Sequence, residues 1–484
     1  MLAGDSTLDK AKATKARLVG NPTFGVIAFF AVHVPLAIVI RRTPAVGTLH
    51  AVCTLALGLW WAMRARQLER VAYVAAYIAG AEVLWRMSGG EVFWEFGKYA
   101  TAAVMLTALL RLGRLKGSTA AFLYFFLLLP SACETILHSD PGLARRQLSF
   151  NLSGPFALMV GVWFFSNLRL SKSQLHRVFL AFMGPAAGIA GVALSGTLSS
   201  AYIQFTGSSN AQTSGGFGPN QVAAVLGLAA FLAFFCLLHD KTTTGLKAVL
   251  LPSIIIFATQ SAMTFSRGGL YAAAGAAMLA GLFLIHEKRG TARLLQVAPV
   301  LFVLIVYVVV PQVVSFTGGA ISERFKKTSL TRRGDLIEAD LSIWRENPIF
   351  GVGPGMGADL RGHYGEHVAS HTEFARLLSE HGLFGVASLL ILLGIAVRTF
   401  LRAKGAGGKA LTASLTTWSF MFMASNGMRL VAPSFTFGLA CVTVFSEKRV
   451  LRRVRRVMEA HDGGTGTNED CQNVPLGRTV RDPT

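Results

Sequence analysis

The chain has 484 residues, 52% hydrophobic and only 15% charged, where a soluble domain carries about a quarter charged residues. Its net charge of +21 would suit a nucleic-acid partner in a soluble protein. Here Lys and Arg gather in short connections between apolar runs, the pattern of cytoplasmic loops in a membrane protein, so a soluble fold and nucleic-acid binding are both excluded. The five cysteines are scattered and show no C-x-x-C spacing, so neither a disulfide framework nor a cysteine metal site is expected.

Apolar runs of about 15 to 22 residues, each able to cross a hydrocarbon core of about 30 Å, lie near 24–40, 46–63, 71–86, 97–110, 119–135, 155–168, 178–196, 220–238, 249–264, 269–285, 295–314, 380–398, 411–427 and 431–446. The expected fold class is an all-α polytopic membrane protein with about 12–14 transmembrane helices. The first 20 residues lack a signal-peptide cleavage pattern, so the first span is expected to serve as its own insertion signal. Basic residues crowd alternate connections, for example Arg64, Arg66 and Arg70, then Arg111, Arg114 and Lys116, and finally Arg398, Arg402, Lys404 and Lys409. Arg41 and Arg42 run against that alternation, which otherwise puts both termini in the cytoplasm. The expected organisation is a cytoplasmic N-terminus (1–23), a transmembrane bundle (24–314), one large external loop (315–379), C-terminal transmembrane helices (380–446), and a tail (447–484). That tail is basic at first, with Lys448 to Arg456 against anionic headgroups, and then disordered.

Two external segments stand out. Residues 197–219 are uncharged and rich in Gly and Ser, ending at Pro219-Asn220. In the large loop, Leu336, Ile337, Leu341, Ile343 and Trp344 are spaced as on an amphipathic helix over 335–346. Asn347-Pro348 then breaks it, a glycine-rich turn follows, and a second helix is expected to start at Ser370 and run into the next span.

Charged and titratable residues collect on this external side. Arg267, in T-F-S-R-G-G-L, stands where one span reaches the surface and the next begins; it reads either as a snorkelling interface residue or as a guanidinium aimed at phosphate. Gly268 and Gly269 beside it are expected to let the backbone approach a ligand. Arg145 and Arg146, and Arg332 and Arg333, are two further pairs that read as solvated loop residues singly and, with Arg267, as a diphosphate site. His363, His367, His371 and His381 lack the H-E-x-x-H arrangement, so no metal ligand set is assigned. His371 reads as a surface histidine or as a base, since an imidazole of pKa about 6.5 accepts a hydroxyl proton at neutral pH.

F-G-P-N-Q-V-A (217–223), F-S-R-G-G (265–269), the amphipathic segment ending N-P-I-F-G-V-G-P-G (347–355), and H-T-E-F-x-x-x-L-x-E-x-G-x-x-G (371–385) occur in that order. This combination, covering roughly 200 to 400, resembles the O-antigen ligase and O-antigen polymerase superfamily of bacterial membrane glycosyltransferases. The resemblance implies a GT-C-like helical fold in the inner membrane and a periplasmic site. It implies metal-independent, inverting transfer of a glycan from an undecaprenyl-diphosphate carrier, with no cofactor. His371 matches the acceptor-activating base, Arg267 the arginine that contacts the diphosphate, and Arg333, with Arg332 as alternate, the arginine upstream of the Pro-Gly segment. Asn220 matches a recurrent polar position, and Glu380 is a candidate orienting residue or arginine partner. The implied partners are the lipid-linked donor, a glycan or lipid A-core acceptor, membrane lipids and a polysaccharide chain-length regulator. Thr372 departs from the asparagine common in the ligases, and Arg145 and Arg146 before S-F-N-L-S-G-P look more like the polymerases. A transporter or lipid-linked glycan flippase is the alternative from another class, and a non-catalytic membrane scaffold a third reading; transporters favour internal repeats and midplane sites, and no repeat is evident.

Overall fold

The computed structural model describes residues 22–64, 67–113, 118–200, 202–205, 208–238, 242–326, 333–364 and 370–445. The expected N-terminal segment up to residue 21 and the C-terminal tail lie outside these residues, as do Arg332 and His367. Among the described residues the fold is helical, apart from one pair of three-residue strands.

Helices α1 (Pro22–Arg42), α2 (Pro44–Arg64), α3 (Leu68–Met87) and α4 (Phe96–Leu112) follow one another along the chain and pack together. The expected span at 119–135 is broken into α5 (Thr119–Phe126) and α6 (Ala132–Leu137), because Pro130 interrupts the ladder. Helix α7 (Pro141–Ser166) starts with Pro141 at its first position, and the Asp140 carboxylate accepts from the amides of Gly142 and Leu143, both at 3.0 Å. Helix α8 (Lys172–Ser199) opens on a capping box between Ser171 and Gln174. Then come α9 (Pro219–Leu237), α10 (Thr244–Met263) and α11 (Arg267–Leu284). Helix α12 (Lys288–Val303) passes through a π turn at 304–309, after Pro299, into α13 (Val310–Phe316).

The loop that follows carries α14 (Ala320–Lys326), α15 (Arg333–Glu346) and the single turn α16 (Gly357–Leu360). The amphipathic expectation holds for α15, which buries Leu336, Ala339 and Ile343. Helix α17 (Glu373–Arg402) begins three residues later than expected, because Thr372 supplies the cap: its hydroxyl accepts from the Phe374 amide at 3.3 Å. At Gly382 (φ 56°) the helix kinks, so the boundary expected near 380 coincides with a break in direction. Helices α18 (Gly405–Asn426) and α19 (Ala432–Ala440) complete the bundle. The last expected span is thus a nine-residue helix followed by strand β2 (Thr443–Phe445), which pairs in parallel with β1 (Arg169–Ser171).

Among the described residues, nine helices are long and apolar enough to cross a membrane. The protein is therefore an all-α, multi-pass membrane protein. Helix α9 is the most enclosed of the nine, whereas the 288–316 segment has hardly any fully buried residue, as expected of a helix at the lipid-facing edge of the bundle.

Close helix contact here rests on small residues, as is usual where apolar surface gives helices no preference for one another over lipid. Gly227 of α9 and Gly269 of α11 meet backbone to backbone. A Cβ at Gly269 would stand 2.1 Å from the Ala223 carbonyl oxygen, and one at Gly227 would stand 2.3 Å from the Gly269 oxygen. The glycines after Arg267 thus serve helix packing, which corrects the expectation that they admit a ligand; Gly268 likewise faces Ser425 at the end of α18. Gly269→Ala is expected to cost about 1–3 kcal/mol through overpacking and to lower the thermal unfolding midpoint in detergent. Gly25→Ala, where nothing lies within 4 Å, should not lower the midpoint, since alanine favours the helix; equal midpoints for both variants would refute this packing role.

A directed hydrogen-bond chain ties α1, α2 and α3 together. The Trp85 indole donates to His50 Nδ1 at 2.8 Å, which leaves the proton of a neutral His50 on Nε2, facing the Tyr77 hydroxyl at 2.9 Å. Tyr77 in turn donates to His33 Nε2 at 2.9 Å, and His33 Nδ1 donates to the Phe29 carbonyl at 2.6 Å. Each donor finds one acceptor, so both imidazoles sit neutral within the bundle without an unsatisfied group.

Candidate active site

The motifs separated in sequence meet at one end of the bundle. Pro219 opens α9, and Asn220 Oδ1 accepts from the Ser266 hydroxyl at 2.7 Å. This bond joins F-G-P-N-Q to F-S-R-G-G. Ser266 occupies the cap position of α11 but spends its hydroxyl on Asn220 rather than on the helix. Just before it, Phe265 has φ +59°, the one non-glycine residue in the left-handed region among the described residues. Such a conformation costs about 1–3 kcal/mol and persists only where its surroundings enforce it. Phe265 is fully buried and stacks on Phe205, and its carbonyl accepts from Arg324 Nε at 3.2 Å. This turn sets half-buried Arg267 at the first position of α11, beside Arg324. Burial, and then the adjacent Arg267 charge, hold the Arg324 guanidinium below its ordinary pKa, so two like charges share one corner.

A second chain of contacts leads from α9 to His371. Gln221 Oε1 accepts from Arg86 Nη1 at 3.0 Å, and the same nitrogen donates to the Arg429 carbonyl at 2.9 Å. Arg429 Nη2 donates to the carbonyl of Ser370 at 3.1 Å. Arg86 is itself neutralised by Glu82 at 2.7 Å and lies 4.4 Å from the Trp94 ring centre. The second Glu82 oxygen accepts from the Val431 amide at 2.7 Å, so the 427–431 turn is held from both sides.

His371 itself is half-buried, and its immediate neighbours are fixed. Asp340, fully buried on α15, accepts from Arg361, from the Ser370 hydroxyl at 2.8 Å and from the Ser379 hydroxyl at 3.0 Å. One carboxylate thus fastens α15, the turn before His371 and the first part of α17. Arg376, also buried, pairs with Glu373 and with Glu380, the latter at 2.7 Å, and donates to Asn151 of α7 at 3.1 Å. Glu373 additionally accepts from the Met428 amide at 3.0 Å. Glu380 is accordingly an arginine partner, with Arg376 as the arginine.

The glycine-rich turn packs against this network. Gly355 has φ +85°, and a Cβ there would stand 2.2 Å from Gln147 Oε1. Gly353 donates its amide to the Glu380 carbonyl at 3.0 Å, so the turn clamps α7 to α17. Among the described residues no three His, Cys, Asp or Glu side chains cluster as a metal site would need.

Arg145 and Arg146 belong to a different group. They are exposed on α7 and line a cleft of about 1230 Å³ with Phe93, Trp94, Glu95, Tyr99 and Phe150. Arg267 is grouped instead with Asn220, Ser266 and Arg324. The backbone of Arg333 starts α15, and its side chain lies outside the described residues.

Arg376, Asp340, Arg324 and Arg86 were not singled out from the sequence, although most of them leave a trace in it. Asp340 falls four residues after Leu336 and three before Ile343, on the buried stripe of an amphipathic helix, where a charge requires a partner. Glu373, Arg376 and Glu380 share one helix face by their spacing of three and four. Arg324 leaves no such trace, since its Phe265 partner is distant in sequence; Arg86 has Glu82 at the same spacing of four, but its links to Gln221 and Arg429 join distant segments.

Residues 248–390 match the family model described as O-antigen ligase. No curated protein matches the chain. The matched segment runs from α10 to the kinked part of α17 and contains Arg267, Arg324, Asp340, His371, Arg376 and Glu380. Over residues 248–390 the chain is thus similar to the O-antigen ligase family.

Proposed function

We propose that the chain is a membrane glycosyltransferase with a GT-C-like bundle that takes a glycan from an undecaprenyl-diphosphate carrier at the periplasmic face of the bacterial inner membrane, with both termini cytoplasmic. The observation that carries this reading is the convergence of Asn220, Ser266 and Arg267 with His371 through Gln221, Arg86, Arg429 and Ser370. Four segments far apart in sequence supply one cationic corner and one imidazole at the same end of the bundle.

In the proposed reaction the carrier's isoprenoid tail stays in lipid while its diphosphate lies against Arg267 and Arg324, with Arg333 opening α15 as a third cation. His371 takes the proton of an acceptor sugar hydroxyl. That oxygen attacks the anomeric carbon, the bond from this carbon to the phosphate oxygen breaks, and the diphosphate leaves with the electron pair. Guanidinium groups stabilise the negative charge that grows on the leaving group, the electrostatic part that a divalent cation plays elsewhere. Attack opposite the leaving group inverts the anomeric centre.

The acceptor is either the end of another lipid-linked glycan or lipid A-core, and a chain-length regulator fits the first case. Surface glycans of a deletion strain separate the two. Single repeats still attached to an acceptor indicate a polymerase, full-length polymer held on the carrier indicates a ligase, and unchanged glycans with a lost solute flux would point to transport instead. Within the site, Arg267→Ala and Arg324→Ala are each expected to lower turnover of the purified protein by roughly 10²-fold, the scale of one charge-stabilising donor. Wild-type turnover in both variants, measured with carrier-linked glycan, would overturn the diphosphate assignment.

A further inference from the structure

The cleft between α4 and the start of α7 is not used by the chemistry above, yet it has the make-up of a ligand site. Its volume of about 1230 Å³ exceeds the roughly 300–1,000 Å³ of a single small-molecule pocket. Phe93 and Trp94 stand 56% and 42% exposed in it, large apolar faces left without a protein cover. Trp94 is held by stacking with Arg86 and by contact with Phe217, so its ring has one fixed aspect. Tyr99 is fixed through its hydroxyl, 3.2 Å from Ser149. Arg145 and Arg146 supply two exposed guanidiniums in the same wall, and Glu95 supplies a hydroxyl acceptor.

Aromatic faces, hydrogen-bonding groups of both kinds and paired cations suit a chain of sugar rings bearing carboxylates. The C–H faces of the sugars stack on the rings, the hydroxyls bond to Glu95 and Gln147, and carboxylates match guanidinium forks. An interfacial aromatic belt is the other use of exposed Trp and Phe in a membrane protein, but a carboxylate in the same wall opposes anionic headgroups. The cleft is also wired to His371. The Trp94 carbonyl accepts from Arg86 Nη2 at 2.8 Å, Arg86 donates to the Arg429 carbonyl, and Arg429 donates to the Ser370 carbonyl. On the far wall Gln147 abuts the Gly355 turn.

We propose that this cleft binds the acceptor, an anionic oligosaccharide several sugars long, and leads its reactive end to His371. The proposal rests on the transferase reading and deepens it: Arg145 and Arg146 hold the acceptor glycan while Arg267 and Arg324 hold the donor diphosphate.

The test uses the full chain in lipid nanodiscs and oligosaccharides released by mild acid from the surface polysaccharide of its own host, before and after chemical reduction of their carboxyl groups. Wild type is expected to bind the unreduced oligosaccharide saturably. Trp94→Ala and the pair Arg145→Gln with Arg146→Gln should each weaken binding at least about ten-fold, and the reduced oligosaccharide should bind comparably weakly to wild type. Absence of saturable binding, wild-type affinity in both variants, or equal affinity for the reduced form would overturn the proposal. So would variants whose only change is in association with nanodiscs containing anionic lipid. His371→Ala should bind the oligosaccharide as wild type does. Transfer by that variant would refute the proposed chemistry while leaving the cleft's ligand standing, so the two failures are distinguishable.

Discussion

Replacing His371 with alanine is expected to lower glycan transfer by about 10²–10⁴-fold, the usual contribution of a positioned general base, while the protein folds as before. The neighbours of His371 hold the local structure without its side chain. Ser370 is fixed by Asp340 and Arg429, and Thr372 caps α17. Removing the imidazole therefore leaves these anchors in place and takes away the proposed base. Initial transfer rates and thermal unfolding midpoints of the two proteins, measured side by side, check this. A near-wild-type rate would remove His371 from the chemistry, and a collapsed midpoint would make it structural.

The largest stability effect is expected at Arg376. Its guanidinium serves both Glu373 and Glu380, and all three side chains are buried. A buried pair contributes little net stability relative to an apolar replacement of both members, but removing one member strands the other. Arg376→Met strands two carboxylates and should cost about 3–5 kcal/mol or more, with loss of folded protein in detergent. It also frees Asn151, the contact between α7 and α17. Neutralising the carboxylates in the same background, as Glu373→Gln with Glu380→Gln, should recover part of the loss. An unchanged midpoint for Arg376→Met, or no recovery in the triple variant, would contradict an electrostatic origin.

The helical bundle was legible because its signal is local: apolar runs of membrane-crossing length need no tertiary information. Where a proline or a nine-residue segment intervened, as between α5 and α6 or at α19, hydropathy alone merged what the backbone separates. Helix α15 was legible by its periodicity, and the external motifs by their order. The pairings between motifs were not. No local pattern announces that Asn220 bonds to Ser266, that Arg324 reaches the Phe265 carbonyl, or that Arg86 connects α9 to the 427–431 turn. Each joins segments tens to hundreds of residues apart and depends on how the helices cross. Gly269 shows the same limit: the sequence alone suggests room for a ligand, whereas the room is taken by the backbone of α9.

Transfer itself is tested most directly by following the carrier. The purified chain in nanodiscs would be given undecaprenyl-diphosphate-linked glycan from its own host, labelled on the isoprenoid, together with acceptor. The expected result is free undecaprenyl diphosphate appearing in step with glycan on the acceptor for wild type, and neither product for His371→Ala. Carrier that stays fully glycan-linked with wild type, or release undiminished in the His371→Ala protein, would contradict the proposed transferase.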